Sequence, residues 1–206
     1  KMIGGAAISV KQINDETMHM LELAYENVNQ AFGQLLQFSD KTDEQIYKRE
    51  DTVNYLDKVI SEYISTALAT PNLNVNISQA LSSYYLMLVD IERISDYAVN
   101  MNHQATKRLQ GDMTISEIEI VEHMKKLCAD MKNDLEDVEE AERKDDVIDS
   151  LVSSWREAQI QALKQKKCSS EVSMMLSRIF TDFERINDHA LNVSQELDKI
   201  TVEIPD

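Results

Sequence analysis

Four glycines, two prolines, two cysteines and one tryptophan in 206 residues leave little room for a β-rich or disulfide-stapled protein. Cys128 and Cys168 lie far apart without a partner motif, which reads as two reduced thiols and not as a disulfide or metal pair. Positive charge is scarce as well, with 21 Lys and Arg against 37 Asp and Glu and a net charge of −16. A nucleic-acid binder needs a basic stripe to displace phosphate counterions, and none is present. The same deficit disfavours docking on an anionic membrane surface and favours cations. No stretch approaches the roughly 20 apolar residues of a membrane span. Met2–Val10 is apolar but lacks the basic flank and cleavage pattern of a signal peptide. The chain opens on Lys1, as a piece of a longer protein would.

What is present is a duplication. Asp90–Met101 reads D-I-E-R-I-S-D-Y-A-V-N-M, and Asp182–Val193 reads D-F-E-R-I-N-D-H-A-L-N-V, 92 positions later with seven of twelve positions identical. Around the first copy, Ala80, Tyr84, Met87, Ile91, Ile94, Ala98, Met101 and Ala105 form an apolar stripe with steps of four and three. Val172, Leu176, Ile179, Phe183, Ile186, Ala190, Val193 and Leu197 form the same stripe around the second. That spacing is the seam of a helix packed on other helices. At about 100° per residue, Glu92, Asp96 and Asn100, and likewise Glu184, Asp188 and Asn192, fall on the opposite, outer face.

Six helices are expected. The first runs from about Lys11 to Phe38, and the second opens at a capping box, Thr42-x-x-Gln45, and stops near Thr70 before Pro71. The third carries the first motif and ends near Leu109, with Gly111 as its C-cap. Thr114-x-x-Glu117 opens the fourth helix, which extends to about Ala141; the fifth spans about Asp145 to Lys167, and the sixth carries the second motif. The fold class is therefore all-α, two tandem, duplicated three-helix bundles, with residues 1–111 as the first repeat (1–10 a linker) and 112–206 as the second.

The second and fifth helices bear a further matching set. Glu50, Asn54 and Asp57 share a face beside the apolar Val53, Leu56, Ile60 and Ala67; Asp145 and Asp149 answer to Glu50 and Asn54 beside Ile148, Leu151, Trp155 and Ala162. Val152 stands where Asp57 would, so the second set is short by one carboxylate. Like charges four apart disfavour a helix by roughly 0.2–0.5 kcal/mol. With 37 acids in the chain such pairs arise by chance, and only their repeated context is informative. Two readings stand: a solvated acidic face, or oxygen ligands gathered for Mg²⁺, Mn²⁺, Fe or Zn²⁺. His189 adjoins Asp188, where it could assist a metal or simply sit at the surface. No nucleophile–base pair, Gly-rich phosphate loop or inward E-x-x-H motif of a di-iron oxidase occurs.

E-R-I-S-D-Y-A-V-N-M and E-R-I-N-D-H-A-L-N-V resemble the doubled signature of the PhoU family of phosphate-uptake regulators. R-E-D-T-V-N-Y-L-D-K-V-I-S-E-Y-I at Arg49–Ile64 resembles the PhoU-like tail of bacterial sodium/phosphate cotransporters. The resemblance covers about Lys11 to Ile200. It implies two three-helix bundles that hold metal clusters outside through E/D-x-x-x-D motifs, at Glu92/Asp96, Glu184/Asp188, Asp145/Asp149 and, with Asn for Asp, Glu50/Asn54. It further implies a non-enzymatic regulatory domain of phosphate transport, the cytoplasmic tail of a sodium/phosphate cotransporter at the inner face of the membrane. The long helices suit a homodimer. The competing readings are a free-standing PhoU-type protein that touches a phosphate transporter and a membrane sensor kinase, a metal enzyme or store, and a helical scaffold whose acids serve solubility.

Overall fold

The computed structural model describes residues 6–105 and 111–203. They form six helices: α1 (Ala6–Leu36), α2 (Asp40–Leu68), α3 (Val75–Gln104), α4 (Ile115–Asn133), α5 (Val138–Lys164) and α6 (Ser170–Asp198), with no strand among the described residues. The expected all-α architecture of two three-helix repeats is what the chain adopts. Every residue of the α3 stripe is buried, and so is every residue of the α6 stripe except Leu197, which is half-buried in the last turn.

Helix ends follow local chemistry more closely than apolar periodicity. The α2 cap is Ser39, whose hydroxyl accepts from Thr42 N, so Thr42 lies inside the first turn and does not open the helix. Thr114 does open α4: its hydroxyl accepts from Glu117 N at 3.2 Å, while Glu117 Oε1 accepts from Thr114 N at 2.9 Å. The break between α4 and α5 falls at 134–137 and not at 141–145. Asp137 caps α5 by accepting from Glu140 N, and acidic residues fill the first turn behind it. α3 stops at Gln104, capped by Ala105 in extended backbone and not by Gly111; the expected end at Leu109 lies outside the described residues. α1 begins at Ala6, five residues before Lys11.

α1 lies between α2, α3 and α4, and α3 packs broadly on α6, so the buried side chains of both repeats form one continuous core. An aromatic group joins the repeats. Phe32 of α1 meets Phe183 of α6 edge-on at 6.3 Å, and Trp155 of α5 lies 6.2 Å from Phe183 and 5.4 Å from His123 of α4. Both cysteines are free, Cys128 buried and Cys168 half-buried. Among the described residues no helix is long and apolar enough to cross a membrane.

Candidate metal centre

Packing α2 against α3 turns two separate acidic faces into one cluster. Val53 and Ile60 are buried, which sets Glu50, Asn54 and Asp57 along the seam with α3. Asp96 comes within hydrogen-bonding reach of both Glu50 and Glu92, and Asp57 lies close enough to Glu92 to repel its charge. Asn54 donates to Glu50, as does the hydroxyl of buried Ser95. Burial first, and Asp96 second, push the Glu92 carboxyl up to about 7. Arg93 offsets little, its Nε being 4.0 Å from Glu92. Glu50 is raised by the same two causes, and Asp57 by burial. Carboxylates so close resist ionising together, and a shared proton or a bound cation relieves the repulsion.

The second cluster forms where α5 meets α6. One carboxylate oxygen from each of Asp145, Asp149 and Asp188 lies within 4.8 Å of the others. Burial, then Asp149 and Asp188, push Asp145 up to about 6. Its Oδ1 is sealed from solvent and meets no hydrogen-bond partner, an arrangement a cation would relieve. Burial and Asp149 also raise Asp188, against the opposing effect of Arg185. Glu184 stands apart from the three: Arg156 Nη2 approaches it at 3.5 Å while also donating to Thr181 at 2.9 Å. Val152 is buried, so the position matching Asp57 belongs to the core.

The outer faces thus hold two acidic clusters of unequal make-up. All nine residues singled out in the sequence lie in one or the other, Glu184 at the margin. Two contributors were not foreseen. Ser95 occupies a motif position that is Asn in the second copy, where Asn187 turns inward to donate to Phe183 O at 2.8 Å. Arg156, next to Trp155 of the α5 stripe, reaches across to Thr181 and Glu184 of α6, a contact that no spacing within one helix announces. His189 joins neither cluster. Its Nδ1 lies 2.8 Å from Asp90 Oδ1 and its ring stacks on Tyr97, so it ties α6 to α3. Asp182, which answers to Asp90, has no such partner among the described contacts, and burial pushes it up to about 6.

The PhoU domain family matches residues 17–105 and again 116–197. The chain belongs to that family. A curated relative, the phosphate-specific transport system accessory protein PhoU homolog 1 of Thermotoga maritima, is 24% identical over 200 residues, covering 90% of this chain and 84% of its own length. Among solved structures, PhoU from Pseudomonas aeruginosa superposes with a TM-score of 0.83 at 19% identity, over 94% of this chain and 97% of its own. The phosphate transport system regulatory protein PhoU from Streptococcus pneumoniae gives 0.82 at 19% identity, over 98% and 100%. At those identities the superpositions speak for the PhoU fold.

Proposed function

We propose that this PhoU-domain chain is a non-enzymatic regulator of phosphate transport whose acidic clusters take up hard or borderline cations. The observation that carries the reading is the crowding of carboxylates at equivalent places in both repeats, with an Asp145 oxygen that no protein group meets. In the first repeat Glu50, Asp57, Glu92 and Asp96 would hold the ion, with Asn54 as a neutral donor. In the second Asp145, Asp149 and Asp188 would do so, and Glu184 would join only on leaving Arg156. All-oxygen donor sets suit Mg²⁺ and Mn²⁺ and accept Fe or Zn²⁺. A bound cation would supply the positive charge that lets neighbouring carboxylates ionise together.

The partner in this reading is a membrane phosphate transporter, met at its cytoplasmic side, with a sensor kinase as a second contact. The Thermotoga relative is named as an accessory protein of a transport system and is spanned nearly whole by this chain, which favours a regulator meeting a separate transporter over a cotransporter's attached tail. Upstream coding sequence with spans of about 20 apolar residues would reverse that preference. Regulation requires that the partner or the cation bind one state of the pair better than the other.

The test is elemental analysis of the native protein and of the Glu92→Ala/Asp96→Ala/Glu184→Ala/Asp188→Ala variant after equilibration with Fe, Zn, Mn and Mg, beside thermal melts with and without chelator. Metal held by the native protein and lost from the variant, with a matching fall in Tm, is the expected result. Equal, negligible metal in both would leave the acids as a solvated face.

A further inference from the structure

The two repeats differ along one surface of α2. Tyr55, Val59 and Tyr63 stand four residues apart, Tyr55 65% exposed, Val59 41% exposed and Tyr63 half-buried. With Leu56 and Ile60 below them and Gln12, Ile13, Asp15 and Glu16 of α1 opposite, they line a groove of about 470 Å³. The equivalent positions of α5, found by the register that matches Glu50 to Asp145, are Ser150, Ser154 and Ala158, all exposed. That helix folds with small and polar residues at these three places. The fold therefore does not require Tyr, Val and Tyr on α2, and exposed apolar side chains in a row mark a contact surface.

The groove wall is likewise particular to the first repeat. α1 has 31 residues and its counterpart α4 has 19, so the early turns of α1 lack an equivalent. Those turns are tied down: Val10 and Ile13 are buried, and Tyr84 donates to Asn14 Oδ1 at 2.7 Å. The groove thus runs between two helices held together by buried contacts. Its ridge of residues at steps of four is the form that accepts a third helix. The charged side chains that line it are Asp15 and Glu16, both exposed on α1; beside it on α2, Glu62 is exposed together with Lys58, and Asp57 of the first cluster adjoins Leu56.

We propose that the α1–α2 groove is a docking site for an amphipathic helix of a partner protein, its apolar ridge seated on Tyr55, Val59 and Tyr63 and its Lys or Arg flanks facing the acidic rim. A second copy of this chain is disfavoured by the same charge, since acid would meet acid. The groove adds a partner contact to the regulatory reading above, and it does not depend on the acids holding a cation.

The test uses a fluorescein-labelled peptide with Leu at heptad a and d positions and Lys at the flanks. One control is the same composition shuffled to destroy the apolar face, and another carries Glu in place of Lys. The native protein is expected to bind the Lys-flanked peptide about tenfold or more tightly than either control, and Tyr55→Ser/Val59→Ser/Tyr63→Ala to lose about that factor. These substitutions install the residues with which α5 already folds; circular dichroism checks the variant, and Tyr55→Ser alone serves if the triple variant melts early. Equal peptide binding by native and variant proteins would overturn the proposal, since the peptide would then be held by acidic surface at large. It would also be overturned by a native dimer that the variant dissolves, or by anionic phosphatidylglycerol vesicles that the variant alone releases while peptide binding is unchanged. Glu92→Ala/Asp96→Ala leaves the groove residues in place. Loss of metal without loss of peptide, or the reverse, therefore separates failure of one reading from failure of the other.

Discussion

At the scale of single residues, the chemistry lies in carboxyls that the fold makes reluctant to ionise. An acid whose pKa is higher in the folded than in the unfolded state binds more protons when native across the interval between the two. For Glu92 that interval runs from 4.5 to about 7, and for Asp145 from 3.8 to about 6. Their contribution to stability is present below the interval and is lost as pH rises through it. The chelated protein should therefore melt several degrees higher at about pH 5.5 than at about pH 8. Glu92→Gln, which cannot ionise, should flatten the upper part of that slope, and saturating Mg²⁺ or Mn²⁺ should restore the melting temperature at the higher pH. A chelated native protein whose melting temperature climbs steadily over this range would show that repulsion within the clusters is not felt.

At the scale of elements, the duplicated motif made the long buried helices legible, because eight apolar residues in strict alternation of four and three leave one way to face a core. The outer acids were legible for the same reason, by default of the seam. Helix ends were less so. The run from Glu136 to Glu142 has five acids in seven residues and no Gly or Pro to mark a break, and only Asp137 accepting from Glu140 N reveals the new start. The end of α5 hid a second device. Lys166 N reaches Leu163 O and Lys167 N reaches Ala162 O, a Schellman turn with Lys166 at φ 59° where glycine is usual. A side chain in that left-handed region costs about 1–2 kcal/mol, so Lys166→Gly should raise stability by about 1 kcal/mol in urea unfolding. Thr114→Ala should act oppositely, by about 1 kcal/mol, because it removes one side of a reciprocal cap. Hydrogen exchange should localise that loss to the first turn of α4. What one sequence could not supply was the pairing between helices. The Arg156 approach to Glu184, the Ser95 bond to Glu50 and the His189–Asp90 link all depend on how neighbouring helices are rotated.

At the scale of the molecule, a duplicated sequence invites the picture of two bundles side by side, yet the core is shared. Phe183 shows why. It is fully buried in α6, touches Phe32 of the other repeat, and lies against Trp155, the sole tryptophan of the chain. Two repeats joined through such contacts should unfold together. Trp155 fluorescence reports the second repeat, while far-ultraviolet circular dichroism reports all six helices. In urea the two signals should follow one coincident transition, with the two halves of the chain losing structure at the same midpoint. Phe183→Ala removes contacts on both sides of the seam and should lower stability by about 3–5 kcal/mol, moving both signals together. If the variant shifted only the fluorescence transition and left a distinct helical phase at the native midpoint, the first repeat would be standing without the second. The acidic clusters would then sit on independently folding units, and cation uptake by one could not bias the other through the core.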